Sequence, residues 1–524
     1  MSENIASINS SAEPEIPSTE GITTKVVKGS LWTLAGTVLP FLASFISIPF
    51  VIRFLGTEAY GVLVLVMLIP TYFAFSDFGM GNASTKFASE AYAQGLRKKE
   101  GEIVRTAAFI AFLFSFPFTA ALFLFSFPIV VFLKVPEYLQ SQASAALKIT
   151  AATFIFAILG GIFNTPQLAR LRMDLNTFVN TSGKLIPAVG IPLVLYFGGS
   201  IVEAVSVALI AAILILLGHI LVSGSLLKEL FQTTINREII KPMLKFGSGW
   251  MIAVVASILL VNLEKVFLTG MISVKSLAYY SVAFTFASMA TMFSTAMIQS
   301  LVPAFSQLLA PEQRAQLDGL FSRSIRLNLI WLLPAVMFLF VIAKPFFTIW
   351  AGEDFGRESP IPFYILLSGL FFNILAFVPH SAITAVGRTD VFAKLYWIEL
   401  FLYVFAVILL INSFGIVGAA MAWSMRVIAD AFVIIWLARR IVGVSFKFTS
   451  HFANLIFGFL LLLPPMLFAA FYDNFSFWLI VLLPFSTALY ALLIWKTFLE
   501  REEKIWIKTG IYKMLKLENR NSVK

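Results

Sequence analysis

Fourteen times along this 524-residue chain an apolar run is bounded by charged or turn-forming residues. About twenty such residues carry an α-helix across a hydrocarbon core of about 30 Å. The runs lie near 29–52, 60–81, 104–128, 145–168, 177–197, 201–223, 243–268, 276–301, 326–349, 361–385, 391–411, 415–437, 452–471 and 476–496. Inside lipid no water satisfies the backbone, so each run must close its own hydrogen bonds as a helix. The expected fold class is therefore all-α and integral to a membrane, with about 14 transmembrane helices. Composition agrees: 59% of residues are hydrophobic and 13% charged, against about 45–50% and about 25% in soluble domains.

The cations test this count. With the N-terminus placed in the cytoplasm, 30 of the 38 Lys and Arg fall on the inner side. Seven fall outside (Arg53, Lys134, Lys148, Lys265, Lys275, Lys344 and Arg357), and Arg426 lies within a span. Gaining or losing one helix would invert half the chain and scramble that asymmetry. Both termini are thus expected in the cytoplasm of a bacterial inner (plasma) membrane. The net charge of +10 is a topology signal and does not mark a nucleic-acid surface.

Several chemistries find no residues here. Cys is absent, which removes disulfides, thiolate metal sites and cysteine nucleophiles. His219, His380 and His451 are far apart and lack metal-ligand spacing. No GxxxxGK[ST], HExxH or GxSxG occurs, so neither a nucleotide nor a metal nor any other cofactor is expected. No inter-helix segment exceeds about 25 residues, too short for a soluble domain. The chain reads as a transporter and not as an enzyme.

Five segments organise it: a Ser/Glu/Pro-rich disordered tail (1–24), a six-helix lobe (25–230), a second six-helix lobe (231–442), two additional spans (443–499) and a basic cytoplasmic tail (500–524). Glu58-Ala59-Tyr60-Gly61 at the outer turn of helices 1–2 recurs as Leu277-Ala278-Tyr279-Tyr280 at that of helices 7–8. An offset of six helices preserves orientation, so the lobes are expected to be pseudo-symmetric parallel repeats around a central cavity.

Charges at bilayer depth cost at least about 2.5–3.5 kcal/mol each and usually face a cavity or a partner. Arg426 lies mid-span with Asp430 one turn on, either a self-neutralising pair or part of a cavity wall. Glu399 lies inside helix 11, as a quiet acid or a coupling site. Asn262, Glu264 and Lys265 form a polar cluster near the outer end of helix 7, where Lys265 can also snorkel. Lys184 sits in helix 5 before Pro187 and Pro192, which predict a kink. Arg53 ends helix 1, as an interfacial anchor or a cavity cation. Asp77 precedes Gly79 and Gly81 at the inner end of helix 2, where capping competes with ion coupling. His219 and His380 read as packed residues.

Gly29-Ser30-Leu31-Trp32, then Pro49 through Arg53-Phe54-Leu55-Gly56-Thr57-Glu58-Ala59-Tyr60-Gly61, then Asp77-Phe78-Gly79-Met80-Gly81 with Ala83 and Lys86, resemble the start of the polysaccharide (O-antigen) flippase family. That family belongs to the superfamily of multidrug and toxic-compound exporters and the lipid II flippase. Ala278-Tyr279-Tyr280-Ser281-Val282-Ala283, Val302-Pro303-Ala304-Phe305 and Gly415-Ile416-Val417-Gly418-Ala419-Ala420 echo it further. The resemblance implies two lobes, two extra helices and a polyprenyl-diphosphate-linked oligosaccharide as cargo, moved outward for surface polysaccharide biosynthesis. It implies as partners membrane lipids and the polymerase and chain-length proteins of that pathway, and it implies a cationic lumen without fixing its residues. Helix 7 departs from the family by carrying Asn262 with Glu264. The rivals are a cation-coupled multidrug exporter of the same superfamily, which needs acids deep in the first lobe, and a membrane glycan polymerase or ligase, which needs a large outer loop.

Overall fold

The computed structural model describes residues 19–232, 236–291, 301–302, 304–306, 308–309, 311–444, 452–471, 477–499 and 504. Most of the expected N-terminal tail, nearly all of the C-terminal tail, His451 and residues 292–300 of the eighth span lie outside the described residues. The described chain is helical throughout its elements: α1 (Thr19–Leu55), α2 (Thr57–Leu68), α3 (Met80–Ala93), α4 (Arg97–Leu124), α5 (Ser126–Phe132), α6 (Glu137–Phe163), α7 (Thr165–Ala169), α8 (Met173–Tyr196), α9 (Ile201–Leu226), α10 (Arg237–Met271), α11 (Val274–Ser288), α12 (Arg314–Ala351), α13 (Glu353–Glu358), α14 (Pro360–Ala385), α15 (Asp390–Ile441), α16 (Phe452–Phe471) and α17 (Phe477–Leu493). The first helix begins at Thr19, inside the segment expected as tail.

Ten segments among the described residues are long and apolar enough to cross a membrane, against the fourteen expected. The difference has identifiable sources. Expected spans 11 and 12 form the single 52-residue α15, interrupted at Gly415, whose φ of 58° and ψ of −128° break the helix in a region open to glycine alone. Expected spans 13 and 14 are the shorter α16 and α17, and the eighth is described only in its first part as α11. The hairpin at Gly198–Gly199 separates α8 from α9, and Ser200 and Glu203 form a capping box that starts the second helix. Pro187 and Pro192 both lie within α8, which continues past them to Tyr196.

Two compact units emerge: Met1–Ser281 with Val391–Ile416, and Val282–Asp390 with Val417–Lys524. The second division falls beside the break at Gly415.

Within the first unit, the expected outer turns collect at one end. Gly56, Tyr138, Gly199 and Lys275 share one cleft there. The two copies of the repeated turn motif meet at this end. A Cβ on Gly61 would lie 2.0 Å from the Val274 carbonyl oxygen and 3.5 Å from Ala278 Cβ. Contact this close requires glycine in the first copy, where the second carries Tyr280.

The opposite end is rich in basic residues. Arg170 pairs with Glu100, Arg105 donates to the Glu229 carbonyl, and Asn236 donates to Glu102 at 3.0 Å. The first fastens the turn between α7 and α8 to the start of α4, and the other two fasten the segment between α9 and α10 to its first turns. Behind them Met80, Ala83, Val104, Ala107, Ala111 and Met243 form a buried core.

The second unit is held by aromatic packing and buried polar contacts. Phe286 stacks on Phe346 with centroids 4.3 Å apart, and Phe347 and Phe363 close edge-on. Ser424 donates to the Ile365 carbonyl at 2.8 Å, where α15 crosses α14. Tyr490 of α17 donates to the Ile330 carbonyl of α12 at 2.9 Å.

Candidate functional site

A buried polar constellation within a span surrounds Glu264 of α10. Its carboxylate is fully buried and accepts from Tyr280 of α11 at 3.1 Å and from Tyr403 of α15 at 2.8 Å. Three helices therefore contribute to one site. α10 is continuous through this region, so Lys265 projects from the next position and donates to Asn262 Oδ1 at 2.6 Å. The Asn262 carbonyl in turn accepts from Tyr72 at 2.5 Å. Glu399 is buried one turn before Tyr403 on the same helix. The sequence cluster Asn262–Glu264–Lys265 is thus split by the helix: the acid enters a tyrosine cage, and the cation bonds along its own helix. Tyr280 and Tyr403 were missed by sequence reasoning. The outer-turn motif contained Tyr280, but nothing in the chain order links Tyr403 to it.

Asp77 closes the 3₁₀ run Ile69–Asp77. It accepts from the Gly79 amide at 2.8 Å and the Gly81 amide at 3.4 Å. These bonds satisfy backbone donors at the start of α3, whose N-cap residue is Gly79.

Lys184 and Arg53 both expose their side chains, in different settings. Exposed Phe178, Val189, Leu193 and Tyr196 lie along one side of α8. At about 100° per residue, Asn176, Asn180 and Lys184 lie on the opposite side. Asn180 donates to Asn176 at 3.0 Å, and Asn164 donates to it at 3.3 Å. This makes a polar stripe that ends in the cation. Arg53 instead continues the exposed apolar stripe Leu39, Leu42, Ile46 and Phe50 of α1.

In the second unit, Arg426 is half-buried with its guanidinium carbon 5.9 Å from the Trp423 ring centroid. Asp430 is buried one turn later, on the side of α15 expected from the spacing.

Two further buried charges, Glu100 and Arg326, stand where charged inner segments meet apolar runs and carry no signal of burial in the sequence. Glu100 is wholly buried and receives both ends of the Arg170 guanidinium, the second at 3.0 Å. Tyr92 covers the guanidinium at 4.6 Å. Arg326 and Asn328 are both buried in α12. Of the histidines, His219 packs against Gln167 at 3.2 Å and is buried.

Comparison with known proteins places this arrangement in a family. A family model described as polysaccharide biosynthesis protein matches residues 26–309, more than half of the chain. A Shigella flexneri protein named as an O-antigen transporter is 26% identical over 426 residues, covering 80% of this chain and 99% of its own. A Haloferax volcanii protein named as a low-salt glycan biosynthesis flippase is 22% identical, covering 79% of this chain and 86% of its own. Among solved structures, the lipid II flippase MurJ in its inward closed conformation aligns with a TM-score of 0.68 at 14% identity, covering 89% of this chain and 98% of that one. An inward-facing multidrug transporter of the MATE family aligns with a TM-score of 0.65 at 11% identity, covering 79% and 94%. At those identities the likeness is one of fold. The matched span and the helical architecture together make this multi-pass membrane chain a member of the polysaccharide biosynthesis protein family.

Proposed function

We propose that the protein is a flippase that moves a lipid-diphosphate-linked oligosaccharide from the cytoplasmic to the outer leaflet of the bacterial inner membrane. Both termini are cytoplasmic. The lobes 25–230 and 231–442 rock about a midplane site by alternating access. Membership of the family and the glycan-transport names of the relatives support the cargo class.

The observation that carries the reading is the polar stripe Asn176–Asn180–Lys184. A cation exposed on the side of a membrane helix away from its exposed apolar residues needs water or an anion beside it. Lys184 is therefore assigned to the lumen, where it meets the diphosphate, and Lys265 and Arg426 are assigned the same task. Arg53, on an apolar stripe, guards the outer mouth at the interface. Glu264 serves as the coupling acid, and Glu399, Asp430 and Asp77 balance charge. With no nucleotide motif in the sequence, a proton or ion gradient, the membrane potential or removal of cargo outside drives the cycle. One charge crossing 100 mV gains about 2.3 kcal/mol.

Lys184→Ala and Arg426→Ala are expected to abolish export of surface glycan while leaving the amount of protein in the membrane unchanged. Normal glycan on cells carrying both substitutions would overturn the lumen assignment. The fold is shared with multidrug transporters, so it does not separate the two cargo classes. Against the exporter reading, Asp77, the lone candidate for a coupling acid deep in the first lobe, accepts from two backbone amides at the start of α3. Unchanged drug susceptibility on deletion is the expected result.

A further inference from the structure

On the basic end of the first unit, the opening turns of α10 border a groove of about 670 Å³. Its walls are of two kinds. Phe78, Ile240 and Leu244 make an apolar surface, and Arg237, Lys241 and Lys245 stand beside it. On a helix turning about 100° per residue, the five α10 residues fall within one arc of about 140°, with the cations spaced one turn apart. All three cations are exposed. Among the described residues none of them forms an ion pair within 4 Å. Glu238, the one acid in residues 237–248, is exposed and pairs with none of them.

The apolar wall is fixed by the backbone. Phe78 and Gly79 adopt left-handed conformations, with φ of 56° and 69°. A Cβ on Gly247 would lie 2.0 Å from the Phe78 carbonyl oxygen. This docking places the Phe78 ring next to the cation ladder and stacks it on Phe114 at 4.7 Å.

A surface that served only to set topology would need cations but no adjoining apolar groove. A soluble anion would need the cations alone. The combination matches a ligand with a phosphate head of more than one charge joined directly to a hydrocarbon chain. We propose that this groove is a docking site for a lipid diphosphate, the head against Arg237, Lys241 and Lys245 and the first isoprenoid units against Phe78, Ile240 and Leu244. This inference rests on the reading of the protein as a flippase of diphosphate-linked cargo, and it assigns the groove to loading, before the cargo meets Lys184. Charge-assisted bonds from guanidinium and ammonium groups to phosphate oxygens supply the affinity. Their ladder spacing favours two phosphates over one.

The test is equilibrium binding to the full-length protein in phosphatidylcholine nanodiscs, which needs no transport. Geranylgeranyl diphosphate is expected to bind, and inorganic pyrophosphate to bind about tenfold more weakly because it lacks the chain. Phosphatidylglycerol, with one charge per head, should compete about tenfold less well than the diphosphate. Arg237→Gln/Lys241→Gln/Lys245→Gln should weaken geranylgeranyl diphosphate binding about tenfold or more, whereas Lys98→Gln/Lys99→Gln, exposed cations on α4, should change it less than about twofold. Phe78→Ala should weaken the lipid and leave pyrophosphate unchanged. Equal loss in both charge variants, equal competition by phosphatidylglycerol, or no binding by the unaltered protein would each overturn the docking site. Those results leave glycan export by the unaltered protein untouched, so failure of the site and failure of the flippase reading are told apart.

Discussion

Glu100 and Glu264 are both fully buried carboxylates in the same unit, and the chain neutralises them in opposite ways. Glu100 has a countercharge: the Arg170 guanidinium grips it with two nitrogens. Glu264 has a cage of neutral hydroxyls, from Tyr280 and Tyr403. A guanidinium can only donate, so Glu100 must remain an acceptor for the pair to stay satisfied. A tyrosine hydroxyl can donate or accept. Protonated, Glu264 could offer its own hydrogen to one tyrosine and still accept from the other, leaving no polar atom stranded. The first arrangement is a clamp that tolerates one charge state. The second accommodates two, as a coupling acid requires.

The largest effect should come from breaking the clamp. Arg170→Ala leaves Glu100 buried without its partner, and losing one member of a buried pair costs about 3–5 kcal/mol. Thermal unfolding in detergent should fall well below that of the unaltered protein. Replacing both members, as Glu100→Leu/Arg170→Met, should recover most of the loss, because an apolar pair of similar volume removes the stranded charge. If the double substitution unfolds as early as Arg170→Ala alone, the pair is not the reason for the loss.

The fold was legible where it depends on composition and on local order. Apolar runs placed the helices, and the cation asymmetry ordered their ends. The expected inner segments and outer turns of the first unit do collect at opposite ends. The turn motif shared by residues 58–61 and 277–280 even pointed to a real contact, between Gly61 and the second copy. The site was less legible, for a physical reason. Glu264 stood out because it is a charge in an apolar run. Its partner Tyr403 lies 139 positions away, and a tyrosine near the middle of a helix carries no signal in a chain that is 15% aromatic. Glu100 and Arg170 lay in segments dense with charge, where burial leaves no mark on the sequence. In the sequence the α10 cations count only toward the expected charge asymmetry. Only the fold sets them beside Phe78.

A smaller effect should separate the two carboxylates. Glu264→Gln retains an acceptor for one tyrosine and presents an amide donor to the other, so its stability loss should be about 1 kcal/mol, within the range of a single hydrogen bond. Glu100→Gln instead faces the donor-only guanidinium with an amide and strands its charge, with an expected loss of about 3 kcal/mol. The informative outcome is the pairing of unfolding with transport. Glu264→Gln should stay folded and lose glycan export, since the amide cannot alternate between charge states. A variant that exports normally would reduce the tyrosine cage to a packing device.

The smallest change is expected at Tyr280, whose bond to Glu264 is the longer of the two at 3.1 Å against 2.8 Å for Tyr403. Tyr280→Phe removes one donor of two and should lower stability by about 1 kcal/mol, with Tyr403→Phe costing somewhat more, both within the range for single bonds to a charged group. If the cage works as a unit, the double substitution should cost more than the sum of the two. Once both hydroxyls are gone, the carboxylate has neither donor left, and a stranded buried group is penalised beyond the bonds it has lost. Strict additivity in unfolding measurements on the four proteins would mean that the two tyrosines act on Glu264 independently, and that it differs from Glu100 only in the charge of its neighbours.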